Sequence, residues 1–183
     1  MSCRSVILID NFLPGDVFNS ISSRVTHAPN YSNNQFAELR DKLWEDAYTL
    51  VFNRLKEIGL YQVHFDESIK LFGYNQFRPK NYGHGNMYGP HVDNGGYVFY
   101  IHPHWDESWG GKLQITNAVE QEYRDGIFAK PNRFIWIDPS TFHNVTTTSD
   151  TMSHSRVANI AFLGGEMNID PVGIEFINIF TTH

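Results

Sequence analysis

The apolar positions along this chain change their period once. In the first third they recur at steps of three and four. Val17, Phe18, Ile21 and Val25 share one stripe and predict a helix from about Pro14 to Val25, with Pro at its favoured first position. Phe36, Leu39, Leu43, Ala47, Leu50, Val51 and Leu55 mark a second, longer stripe. They predict a helix from about Gln35 to Ile58, stopped by Gly59. Charged side chains lie mostly off that stripe, so this helix should pack on something flat, most simply one side of a sheet. Before both helices, Val6–Ile9 is a short β-branched run that reads as a strand.

From Tyr61 onward the pattern is that of strands. Tyr61–Phe65, Ile69–Phe77, Tyr97–Ile101, Lys112–Thr116 and Arg133–Ile137 are predicted, with an edge strand over Ile174–Phe180. His143–Thr148 and Arg156–Leu163 are expected to pair as a hairpin around Ser149–Ser155. Glycines and prolines break the stretch from Pro79 to Pro90 into a loop, and His102–Gly111 reads as a polar and aromatic loop. Helices first and strands afterwards imply an α+β fold, mainly β: a double-sheet barrel or jelly roll braced on one face by the long helix. The 183 residues fit one domain, 1–183, with 1–60 as mainly helical support and 61–183 as the β core.

Composition narrows the function. Aromatic residues make up 15% of the chain, which suits a β-rich core. A formal charge of -6 argues against a nucleic-acid partner, because no broad basic surface is available for a phosphate backbone. The single cysteine, Cys3, excludes an internal disulfide and any Cys-based zinc knuckle. No stretch approaches the roughly 20 apolar residues of a membrane span. The apolar run near Met1 is cut short by Asp10 and is too brief for a signal peptide. A soluble, cytoplasmic protein without a membrane partner is expected.

The candidate chemistry centres on Tyr82–Asp93, which reads Y-G-H-G-N-M-Y-G-P-H-V-D. On a strand, His91 and Asp93 would point to the same side, since side chains two apart share a face. A third ligand must come from another strand, and His143 can supply it. Two imidazoles and one carboxylate make the facial triad of non-haem Fe(II) sites, which leaves positions open for a 2-oxo acid and O2. The H-x-D pair alone arises freely by chance, so the surrounding residues carry the argument. Arg156 opens the apolar run R-V-A-N-I-A-F. Buried there, it needs an anionic partner, and a dicarboxylate cosubstrate would provide one through a bidentate fork. The alternative places Arg156 in solvent at the strand start.

Y-x5-Y-x-x-H-x-D, then G-G before a strand, then H-x-V, then R-x-A resembles the prolyl 4-hydroxylase-like group of Fe(II)/2-oxoglutarate-dependent dioxygenases. The opening I-D-N-F-L-P before a helix resembles the start of that domain. The resemblance implies a double-stranded β-helix. It implies Fe(II), 2-oxoglutarate and O2, with ascorbate as an optional reductant. By position, His91, Asp93 and His143 would be the iron ligands, and Arg156 and Tyr82 would hold the distal carboxylate of 2-oxoglutarate. Tyr88 would line the pocket near substrate, and Ala158 would leave room for the cosubstrate. The interval from His143 to Arg156 is longer than the pattern, as is consistent with an extended hairpin tip.

The implied reaction couples 2-oxoglutarate decarboxylation, to succinate and CO2, with hydroxylation of an aliphatic C–H. The substrate would be a peptidyl residue such as proline or a free small molecule. His102 and Trp105, in the loop 102–111, are candidates for the substrate pocket, with simple loop packing as the alternative. His102 and His104 also form an H-x-H pair, but the Glu a cupin metal site needs is misplaced. Zn2+ suits two His and a carboxylate, yet no H-E-x-x-H base is present. The rival from another class is a non-catalytic jelly-roll or cupin-like protein that binds a small ligand.

Overall fold

The computed structural model describes residues 6–25, 36–37, 42–58, 71–75, 96–116, 126–137, 141–146, 148–149, 151 and 156–162. Their elements, in chain order, are β1 (Val6–Ile9), α1 (Gly15–Val25), β2 (Phe36–Ala37), α2 (Lys42–Glu57), β3 (Leu71–Asn75), β4 (Gly96–Tyr100), β5 (Leu113–Thr116), β6 (Phe134–Ile137), β7 (Phe142–Val145) and β8 (Ala158–Phe162). Six strands form one antiparallel sheet in the order β1-β6-β4-β8-β3-β2, and β5 pairs with β7 in a second sheet.

The large sheet is covered on both faces, and alternation along its strands sorts the side chains. Ile7, Ile9, Tyr97, Phe99, Phe134, Trp136 and Ala161 point to one face, where Phe18, Ile21, Leu43, Ala47, Val51 and Leu55 of α1 and α2 pack on them. Val6, Leu8, Tyr100, Ile135, Ile137, Ala158 and Ile160 point to the other, against Leu113 and Ile115 of β5. This is why β1 and β6 are runs of apolar residues without a polar alternate: each of their positions is buried. The helix therefore braces one face of the sheet, as the amphipathic pattern predicts.

Polar contacts pin the corner where the N-terminal segment meets β6. Asn132 adopts a left-handed φ of 60°, and its side-chain amide makes two hydrogen bonds of 2.9 Å with the backbone of Leu13. Asp10 receives Arg133 Nε at 2.6 Å, Arg133 Nη2 at 2.9 Å and Lys130 Nζ at 3.0 Å. The Arg133 bonds, ahead of those from Lys130, hold the Asp10 carboxyl below the usual carboxylate range.

Two expectations are corrected. Phe36–Ala37, placed at the head of the long helix by its stripe, is a strand paired with Asn75 and Tyr74 of β3. Apolar spacing is satisfied by either state over two residues, and pairing with a sheet edge decides between them. The larger correction concerns the predicted hairpin. β7 pairs with β5 in the small sheet, whereas β8 pairs with β3 and β4 in the large one. His143 and Arg156 thus come from opposite walls, not from adjacent strands. Tyr61–Phe65, the loop Pro79–Pro90 and Ile174–Phe180 lie outside the described residues.

Candidate functional site

The space between the two sheets collects the chemistry. On β7, His143 is the register partner of Ile115, while Val145 partners Leu113. Leu113, Ile115 and Val145 face the large sheet, so His143, two positions from Val145, faces it too. His143 is buried, and its Nδ1 lies 3.0 Å from the Thr141 carbonyl. A proton on Nδ1 donates to that oxygen, which sets the tautomer and puts the ring lone pair on Nε2. A main-chain carbonyl orienting the far nitrogen in this way is the usual support of a metal-binding imidazole.

Arg156 stands just before β8 and is only 1% exposed. Its Nη2 donates to the Tyr100 hydroxyl at 2.8 Å, and the guanidinium carbon lies 4.8 Å from the centre of the Tyr100 ring. Tyr100 ends β4 on the same face and is the register partner of Ala158. Ala158 presents only a methyl group opposite that residue. The stem of Arg156 runs against Gly111 at the head of β5: a Cβ on Gly111 would lie 2.9 Å from Arg156 Cδ. Arg156 therefore spans from one sheet to the other, with its charge inside.

Behind the arginine sits His102, fully buried. Its Nδ1 lies 3.0 Å from the Val157 carbonyl and 3.2 Å from the Val157 amide, and its Nε2 lies 2.7 Å from the Ala129 carbonyl. Trp105, 4% exposed, packs on the His102 ring at 5.1 Å and donates Nε1–H to the Gly110 carbonyl at 3.1 Å. Both side chains are packed within the loop, the arrangement that simple loop packing predicts. Their polar atoms are engaged with main chain, because a buried imidazole or indole needs such partners. His104, exposed in the same loop, is edge-on to Trp109 at 5.4 Å.

Of the residues expected in the site, His143 lies on the side of the small sheet that faces the large one, and Arg156 and Ala158 lie on the facing side of the large sheet. Tyr82, Tyr88, His91 and Asp93 lie outside the described residues. Sequence reasoning missed Tyr100. Its signal would have been the pairing of β4 with β8, which sets it opposite Ala158, and that pairing is not visible in either strand alone.

Known proteins share the fold. The family model of the 2OG-Fe(II) oxygenase superfamily matches residues 77–164, a span that contains every expected site residue. The chain resembles the Fe(II)/2-oxoglutarate-dependent dioxygenases of the prolyl 4-hydroxylase-like group. A Pseudomonas putida prolyl-4-hydroxylase superposes with a TM-score of 0.58 at 14% identity, covering 89% of this chain and 89% of its own. A Trichoplax adhaerens prolyl hydroxylase, solved with a peptide fragment of the hypoxia inducible factor oxygen degradation domain, gives 0.55 at 17%, covering 88% and 84%. A prolyl 4-hydroxylase from Phytophthora capsici gives 0.59 at 16%, with 88% of this chain covering 59% of that one. At these identities the likeness is one of fold. No curated protein matches the chain in sequence. Among the described residues, no helix is long and apolar enough to cross a membrane.

Proposed function

We propose that this protein is an Fe(II)- and 2-oxoglutarate-dependent oxygenase that hydroxylates an aliphatic C–H of a peptidyl residue such as proline or of a small molecule. The observation that carries the reading is Arg156: a guanidinium buried on the inner face of the large sheet, beside Tyr100 and on the side faced by His143. The donor set fits the group. An imidazole with its lone pair on Nε2, joined by His91 and Asp93, would hold Fe(II). A buried, always-charged fork suits the far carboxylate of 2-oxoglutarate. When bound, the iron supplies a site where O2 and the 2-oxo acid react together, which yields succinate and CO2.

This chain's own residues supply the binding and the orientation. Arg156 would engage the distal carboxylate. The Tyr100 hydroxyl accepts from Arg156, so its own proton can be directed to the same carboxylate. Tyr82 would add a second phenol, Ala158 the room for the cosubstrate chain, and Tyr88 a wall toward substrate. Thr141 would hold the His143 ring in its ligating orientation through Nδ1. The two sheets, read as the walls of a double-stranded β-helix, keep water from the charged groups between them.

The test is direct. Anaerobic addition of Fe(II) and 2-oxoglutarate should produce the weak visible absorption of a chelated 2-oxo acid, and air should then convert 2-oxoglutarate to succinate. His143→Ala should abolish both signals and lower bound iron to background. Full signals in that variant would remove His143 from the ligand set. Absence of both in the unaltered protein would favour the non-catalytic ligand-binding alternative. A panel of prolyl peptides and free amino acids, scored by stimulated succinate formation, separates the two substrate classes.

A further inference from the structure

We propose that Gly111 is a positioning residue for cosubstrate binding: its missing side chain is the slot in which the Arg156 stem is seated. The inference rests on the reading of Arg156 as the carboxylate-binding residue. Gly111 lies at the head of β5 with φ of 64°, buried between two neighbours. A Cβ there would stand 2.9 Å from Arg156 Cδ, 3.0 Å from Thr148 Cγ2 and 3.4 Å from Arg156 Nε. The first distance is shorter than packed carbon atoms tolerate, and the second is tighter than ordinary contact. A methyl group would press on both Arg156 and Thr148.

Arg156 has little freedom to give way at its root. The next residue is held on both sides of its peptide: Ile101 N donates to the Val157 carbonyl at 3.1 Å, and the Val157 amide lies 3.2 Å from His102 Nδ1. Thr148 is likewise fixed, through its bridge to Gly110 and through Ser149 N, which donates to the Trp109 carbonyl at 2.8 Å. With the root and the far wall held, an added methyl must displace the middle of the side chain. The displacement then falls on the guanidinium, which now donates to Tyr100 at 2.8 Å. A two-pronged fork loses one of its bonds when its plane is turned by such a shift.

A left-handed glycine is also explained by backbone preference alone, and the experiment separates the two causes. Asn tolerates left-handed φ better than Ala but carries the same Cβ. Binding of 2-oxoglutarate to the Mn(II)-loaded protein is measured by titration calorimetry, beside the melting temperature of each variant. Gly111→Ala and Gly111→Asn should both weaken binding by about tenfold, the equivalent of one charge-assisted hydrogen bond. Gly111→Asn should melt higher than Gly111→Ala and yet bind no better. In an Arg156→Ala background, Gly111→Ala should cause no further loss, because its effect runs through that side chain. The proposal is overturned if affinity follows melting temperature, if both variants bind like the unaltered protein, or if the losses from Gly111 and Arg156 add. Should Gly111→Ala not fold, Gly111→Ala/Thr148→Ala carries the same test. It removes the Thr148 contact and gives the methyl room to move off Arg156, so affinity should recover toward native relative to Gly111→Asn, and a folded double variant that binds as weakly as Gly111→Asn overturns the proposal. Unaltered affinity in Arg156→Ala alone would instead remove the reading of Arg156, and the role of Gly111 with it.

Discussion

The two faces of the large sheet are built from the same strands and do different work. On the helix side, Phe12 stacks on Phe134 at 4.5 Å, Tyr97 stacks on Phe134 at 5.5 Å, and Phe18 meets Phe99 edge-on at 6.3 Å. Within that aromatic layer, Tyr97 Oη donates to Asn159 Oδ1 at 2.7 Å. Its burial pushes the Tyr97 phenol well above its ordinary value, so it stays a neutral donor. One residue further along the same strands, the opposite face carries Tyr100, and Arg156 precedes Ala158 on that side. A strand with period two can thus anchor a core and present a ligand site at once. The difference teaches that burial here has two meanings. Tyr97 is buried to fill space, whereas the proposed role of Arg156 is to hold a buried charge that a cosubstrate would neutralise.

This contrast is most easily broken on the helix side. Phe134→Ala removes a fully buried ring that touches two others, and should cost about 3–5 kcal/mol of stability. Urea unfolding of the variant gives that loss. The fraction that remains folded should bind 2-oxoglutarate with unchanged affinity. A large change in affinity at full folding would mean that the two faces are coupled through the sheet.

The converse substitution is Arg156→Ala. It should weaken 2-oxoglutarate binding by about a hundredfold, as expected for the loss of a bidentate charge-assisted fork. The effect should appear in the 2-oxoglutarate requirement far more than in the turnover at saturating cosubstrate. Steady-state kinetics against 2-oxoglutarate, with succinate as the product measured, checks this. If turnover falls and the requirement does not, the arginine serves the fold and not the ligand.

Much of this arrangement is legible locally. The strands at Val6–Ile9, Phe134–Ile137 and Leu113–Thr116, and the helix over Gly15–Val25, follow from apolar period and punctuation. So does the placing of His143 and Arg156 at strand starts. Partnership is not local. The apolar runs of β7 and β8 are close in sequence and read naturally as a hairpin, but each finds its partners in a different sheet. Alternation states which residues share a face and is silent on which strand lies beside them. The same blindness hid Tyr100, which meets Arg156 because β4 lies beside β8. It also hid Asn132, whose amide closes on Leu13 across 119 positions of chain. His102 shows another limit. A histidine in a polar loop signals chemistry, while its burial and its contacts with the main chain of Val157 and Ala129 make it a brace.

The smallest effect tests where the boundary between the two kinds of burial runs. Asp10 ties the end of β1 to Arg133 at the head of β6, and Arg133 in turn accepts the Tyr100 amide on its carbonyl at 3.0 Å. This ion pair is therefore one backbone bond away from the tyrosine that touches Arg156. Asp10 is partly exposed, so its replacement by Asn should cost only about 1 kcal/mol at neutral pH. The sign of the pH dependence follows from its lowered pKa. The carboxylate contributes stability above the pKa it has in the unfolded chain, and loses it as pH falls through the lower, folded value. The gap in urea midpoint between the protein and Asp10→Asn should accordingly be full at about pH 7 and shrink as pH drops below about 4, the unperturbed Asp range. A gap that stayed constant would show that the loss came from packing and not from the charge. Affinity for 2-oxoglutarate at neutral pH should not move. If it does, the corner that Asp10 pins belongs to the ligand side of the sheet, and Tyr100 is held in place by the same contacts that secure the fold.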